Sequence, residues 1–193
     1  MESRRIIIVH GWDSSPSDAW LPWLGDELVA RGFEVAIPAM PNPLAPVIGE
    51  WVAHLKGTVG AIRESDIFVG HSVGVQAILR YLEQIPERRI AGVVCVAGWF
   101  VLQGLETEEE RQIARPWLET PIDLEAVRRV AGHTIAILSD DDPYVELAPT
   151  AQIFEERLGS RVIIEHAMGH FSIEHGGVRE LPIALDSVLT LTN

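Results

Sequence analysis

The sequence predicts an α/β protein, built on a mainly parallel sheet of about six strands with helices on both faces. Two observations carry this. Short apolar runs rich in β-branched residues recur along the chain without the in-and-out alternation of a half-exposed sheet. Longer stretches with apolar residues at helical spacing separate them, and strand and helix alternate throughout. Of the 193 residues, 47% are hydrophobic and 22% charged, which suits a core-forming globular chain and excludes disordered, collagen-like and disulfide-scaffold classes. The length fits one domain spanning 1–193.

The strand runs are Ile6 to Val9, Phe33 to Ile37, Ile67 to Val69, Val93 to Val96, Ile135 to Leu138 and Val162 to Ile164, most of them followed by Gly, Pro, Asp or Ser. Helical spacing joins Leu24 and Leu28 after Trp20; Val52, Leu55, Val59 and Ile62; Ala77, Ile78, Tyr81 and Leu82; Ile153, Phe154 and Leu158; and Ile183, Leu185, Val188 and Leu189. Functional residues in such a sheet belong on loops at the carboxyl ends of strands. Two segments break the rhythm. Met40 to Pro46 holds three prolines and must be a loop. Residues 99–121 exceed a simple crossover and carry an acidic run, Glu106 to Glu110, flanked by Trp99, Phe100 and Trp117; they read equally as a small cap or as a solvated acidic helix with one apolar face.

Charge and targeting narrow the partners. Fifteen basic against 28 acidic side chains leave a net charge of −13, which repels nucleic acid and anionic lipid. The apolar run after the basic start Met1 to Arg5 is too short for a secretion leader, and no segment approaches the roughly 18 residues of a membrane span. Cys95 is a lone cysteine in an apolar run, as in a reducing compartment. The expectation is a cytoplasmic protein acting on a small molecule.

Gly70-His71-Ser72-Val73-Gly74 ends one strand run and opens a helix, the setting of a G-x-S-x-G nucleophile elbow. The glycines are steric: the serine takes a strained conformation, and side chains two positions away on either side would collide across the turn. The serine needs a base and the base an orienting carboxylate. His170, in Gly169-His170-Phe171 after the last strand run, is the candidate base. His10, His54, His71, His133, His166 and His175 fit less well, and His71 is expected to direct its ring away from the serine. Asp140, Asp141 and Asp142 compete as the acid after Ile135 to Leu138; a metal loop is the other use of such a triplet, but the ligand spacing of a calcium site is missing. The order serine, aspartate, histidine is that of α/β hydrolases. For an oxyanion hole the amide of Val73 is one donor, and the amide of Trp12, beside Gly11 in the loop after the first strand, is the second.

Together, H-G-x-x-x-S-P at His10 to Pro16, M-P-N-P at Met40 to Pro43, G-H-S-V-G, R-P-W at Arg115 to Trp117, D-D-P at Asp141 to Pro143 and G-H-F resemble the small α/β hydrolases related to retinoblastoma-binding protein 9 and their bacterial relatives. The resemblance spans the chain. It implies the α/β-hydrolase fold with a minimal lid and a serine hydrolase with Ser72, Asp142 and His170 as its triad, Asp141 being the alternative acid. His10 stands where relatives carry other residues and is given no catalytic role. No cofactor or metal is required by this chemistry. Gly11, Trp12, Trp99, Phe100, Trp117 and Tyr144 are candidates to line a pocket for a small ester or amide. A protein partner is not derivable from these residues, and the competing class is a catalytically silent hydrolase-fold binding module. An aspartate nucleophile, as in dehalogenases on this fold, is argued against by Ser72.

Overall fold

The computed structural model describes residues 4–192; residues 1–3, the start of the segment read for a leader, and residue 193 lie outside the described residues. Six strands, β1 (Arg5–Val9), β2 (Glu34–Ala36), β3 (Ile67–His71), β4 (Gly92–Val96), β5 (His133–Ser139) and β6 (Arg161–Glu165), form one sheet in the order β2-β1-β3-β4-β5-β6. Every pairing is parallel. The expected runs all become strands, and the four central ones, β1, β3, β4 and β5, are buried on two faces. Successive residues of β1 and β3 alternate between two cores: Ile7, Val9 and Phe68 face one, Ile6, Ile8, Ile67 and Val69 the other. The edge differs. In β6, Ile164 is 46% exposed, so this run is covered less than its composition suggests.

Helices α1 (Leu21–Ala30) and α7 (Pro182–Leu191) supply the core that contains Ile6 and Ile8. Helices α2 (Ile48–Val59), α3 (Val73–Leu82), α5 (Leu124–Ala131) and α6 (Leu147–Ile153), which runs on as a π turn over Phe154–Leu158, pack on the opposite face. Helix α2 stops at Val59, where Gly60 takes a positive φ of 59°, so Ile62 lies beyond it and not in it as its spacing suggested. Segment 99–121 holds α4 (Glu108–Glu119), opened by a capping box in which Thr107 and Glu110 bond each other's backbone amides. Only Ala114 and Trp117 of α4 are buried. At the amino ends of the strands, buried Arg5 forks onto Asp66 at 2.7 and 3.1 Å and donates to the carbonyls of Val59 and Ala61. That pair has its polar atoms satisfied; removing one partner from such a pair costs about 3–5 kcal/mol.

The sheet order reverses between β1 and β3: the chain leaves β1 for one edge and returns on its other side. The loops after these two strands therefore diverge over a crevice at the carboxyl rim, where open α/β sheets bind their ligands. Residues His10 and Gly11 lie after β1 and Ser72 after β3.

Candidate active site

Ser72 sits between β3 and α3 with φ 53° and ψ −122°, a region that costs a non-glycine residue about 1–3 kcal/mol. The neighbouring glycines allow it. A methyl on Gly70 would lie 2.8 Å from the backbone of Val75, and one on Gly74 would lie 2.4 Å from the Val9 carbonyl. The loop after β1 is equally close, since a methyl on Gly11 would meet His71 Nδ1 at 3.1 Å and Ser72 Cβ at 3.3 Å. The turn that carries the serine is thus packed closely against the backbone of Val75 and Val9 and the ring of His71.

Two contacts of the His10 ring set that loop. His10 is buried, with Nδ1 2.8 Å from the Gly11 carbonyl and Nε2 accepting from the Met40 amide at 3.0 Å. A carbonyl only accepts and an amide only donates, so the ring is neutral with its proton on Nδ1; burial holds its pKa below the usual histidine value. Because Gly11 C=O and Trp12 N–H share one planar peptide, holding the carbonyl on His10 turns the Trp12 amide the opposite way. Neither the Trp12 nor the Val73 amide donates to another group among the described residues.

The acid turn and the base loop meet through three successive aspartates. Asp142 accepts from His170 Nδ1 at 2.8 and 3.0 Å, and its side chain is 2% exposed. The amides of Tyr144 and Val145 donate to the same carboxylate, so its direction is fixed before the imidazole arrives. Asp141, the alternative acid, points elsewhere: it accepts from Ser139 Oγ at 2.6 Å and from the Gly169 amide at 2.8 Å, and these bonds hold its pKa below the usual carboxylate range. Asp140 takes the Ala167 amide and His166 Nδ1. The base loop is therefore held by side chains from the end of β5. With Nδ1 donating to Asp142, the neutral His170 ring leaves Nε2 unprotonated.

Ser72 and His170 come together indirectly. Ser72 Oγ makes no hydrogen bond among the described residues, and the contact between the elbow and the base loop runs through His71, whose Nε2 lies 2.8 Å from the His170 carbonyl. The two imidazole centroids are 5.2 Å apart. The expectation that His71 turns away from the serine gives its direction only in part: the ring reaches the backbone of the residue read as the base.

The aromatic candidates divide. Tyr144 stands edge-on to His170, centroids 5.2 Å apart, with its hydroxyl 2.9 Å from His175 Nε2. Trp12 and Phe100 are half-buried, and Trp12 donates to the Leu44 carbonyl. Trp99 and Trp117, expected among the pocket candidates, sit in the core at 3% and 2% exposure. Trp117 packs edge-on to Trp51 and donates to the Pro46 carbonyl, so packing accounts for its place. Two surface depressions of about 230 and 400 Å³ lie before β4 and β5, at the amino rim of the sheet. They are remote from Ser72. Among the described residues no group of three or more His, Cys, Asp or Glu side chains is placed to hold a metal ion, and no helix is long and apolar enough to cross a membrane.

The serine hydrolase family model matches residues 6–188. The chain belongs to the serine hydrolase family. This family member is 31% identical over 189 residues to the YdeN protein of Bacillus subtilis (strain 168), covering 97% of this chain and 95% of that one. It is 24% identical over 187 residues to the serine hydrolase RBBP9 of Rattus norvegicus, covering 96% and 94%. The crystal structure of the B. subtilis ydeN gene product superimposes with a TM-score of 0.87 over 98% of both chains at 27% identity. The resemblance read from the motifs thus holds over the length of the chain, the fold is that of the α/β hydrolases, and family and fold together support a hydrolase function.

Proposed function

We propose that this protein hydrolyses a small ester or amide through an acyl-enzyme, with Ser72 as nucleophile, His170 as general base and Asp142 as the orienting acid. The observation that carries the reading is the Asp142–His170 contact on the same rim as the strained Ser72 elbow. Substrate enters beside Tyr144, and a Ser72–His170 hydrogen bond forms as the cleft fills, since catalytic hydrogen bonds are completed on substrate binding. His170 Nε2 takes the proton as Ser72 Oγ attacks the carbonyl carbon. The oxyanion forms against the Val73 and Trp12 amides, the first of them at the positive end of α3. His170 then returns the proton to the leaving alcohol or amine, and water, activated by the same ring, releases the acid.

Ser72→Ala tests it. The variant is expected to lose all labelling by a fluorophosphonate and to turn over p-nitrophenyl acetate about 10⁴-fold or more slowly than wild type, because the members of a triad act as a unit. Labelling retained in Ser72→Ala overturns the assignment. A wild-type protein that neither labels nor turns over favours the silent binding module.

A further inference from the structure

The residue before the nucleophile has no part in that chemistry, yet it is the side chain that joins the nucleophile's turn to the loop carrying the base. His71 is 6% exposed. Its Nε2 lies 2.8 Å from the backbone carbonyl of His170, an acceptor only, so the ring carries its proton on Nε2. The Nδ1 side faces the Gly11 backbone, where an added methyl group would crowd it at 3.1 Å. Trp20 stands edge-on to the ring at 5.9 Å, and its own indole N–H donates to the Phe171 carbonyl at 3.0 Å. Two successive carbonyls of the base loop, those of His170 and Phe171, are therefore gripped by two buried ring N–H groups. Phe171 is held at a positive φ of 53° between them.

We propose that His71 is a positioning residue, its Nε2–H tethering the His170 backbone to the Ser72 turn so that base and nucleophile keep their separation. This rests on the reading of Ser72 and His170 as nucleophile and base. The Asp142 carboxylate fixes the imidazole of His170 from one side; the tether fixes the main chain from which that imidazole hangs. Both anchors are needed because the loop's other supports, among them Asp141 on the Gly169 amide, the His175 carbonyl on the His170 amide and the Trp20 indole on the Phe171 carbonyl, tie it to other parts of the molecule, and among the described residues only His71 hydrogen-bonds it to the Ser72 turn. The ring must also stay uncharged. Burial, with His170 alongside, pushes its pKa down to about 3, so at working pH it adds no charge to compete for Asp142.

Side-chain length supplies the test. Glutamine places an amide nitrogen the same number of bonds from Cα as Nε2 of histidine, whereas asparagine places it one bond short. His71→Asn is expected to lower kcat on p-nitrophenyl acetate about 10- to 100-fold with KM little changed, as a small misplacement of a reacting group does. His71→Gln should restore kcat to within about threefold of wild type, the worth of one imperfect hydrogen bond. Amide hydrogen exchange in residues 169–176 should quicken in His71→Asn and stay near the wild-type rate in His71→Gln. Equal losses in the two variants, a loss confined to KM, or unchanged exchange in His71→Asn each overturn the tether. Absence of fluorophosphonate labelling and turnover in the wild type would instead overturn the hydrolase reading, and the exchange measurement would still decide the tether.

Discussion

The loops at the carboxyl ends of β3, β5 and β6 and the segment 99–121 border the same rim but are secured in different ways. The first are bound to one another at many residues: Ser139, Asp140, Asp141 and Asp142 each take a partner between 166 and 170, and His71 adds a second contact on His170. Segment 99–121 hangs on a few pegs. Gln103 reaches the Asp142 and Val145 carbonyls, Leu102 bridges Val145, and Trp117 and Arg80 hold the end of α4, with Arg80 donating to the Trp117 and Thr120 carbonyls at 2.8 and 2.7 Å. A cation at those carbonyls meets the negative end of the α4 dipole. The contrast teaches that the loops at the rim are bonded to one another residue by residue, while helix α4 is held by a few hydrogen bonds and the packing of Ala114 and Trp117, its other residues left at least partly exposed.

Substitutions at the two regions should separate activity from stability. The largest effect is expected at Asp142: Asp142→Asn should lower kcat/KM about 10³- to 10⁴-fold, because an amide in place of the carboxylate sets the wrong tautomer on His170. Asp141→Asn should cost only several-fold, since the amide oxygen still accepts from the Gly169 N–H; steady-state kinetics on one ester compares both, and a larger loss at Asp141 would reverse the roles. Next comes Trp117→Ala, which should remove about 3–5 kcal/mol of stability in urea unfolding while leaving kcat of the folded protein close to wild type. A fall in kcat as large as that at Asp142 would place α4 within the working rim.

The smallest effect is in the pH dependence of stability. His71 holds a pKa of about 3 when folded against the ordinary 6.5, and burial lowers His10 as well. As pH falls below about 6.5 the unfolded chain takes up protons that the folded rings refuse, so stability declines from there toward pH 3. The exposed His166, its pKa raised by Asp140, pulls weakly in the opposite sense. Urea midpoints at pH 7 and pH 5 should therefore differ, and His71→Gln should flatten the difference by about one proton's worth of slope. An unchanged slope would show that the buried ring takes up a proton in the folded state.

Much of this architecture is legible in the sequence because the four central strands are buried on both faces and so write themselves as unbroken apolar runs. The edge strand β6 and the eight-residue helix α5 show the limits. LEAVRRVA is short, and its start is marked only by Asp123, which caps the Ala126 amide. The elbow is local, so its five residues suffice. The division of labour among Asp140, Asp141 and Asp142 is not local: each finds its partner about 28 positions away, in a loop whose path no pattern in the acid turn encodes. The proline-rich stretch 40–46 hides its use for a similar reason. Its carbonyls at Pro41, Leu44 and Pro46 accept the indole N–H groups of Trp51, Trp12 and Trp117. Buried tryptophans must find an acceptor, but which one depends on the tertiary path.

Gly74 lies where α3 crosses the end of β1, and even one added carbon there would overlap the Val9 and His10 carbonyls. The gap between the amides of Trp12 and Val73 is consequently gauged by main chain against main chain, with no side-chain spacer to repack. An alanine at this spot would have to wedge the helix and its serine away from the first strand, widening that gap at a stroke, and no rotamer change nearby would close it again.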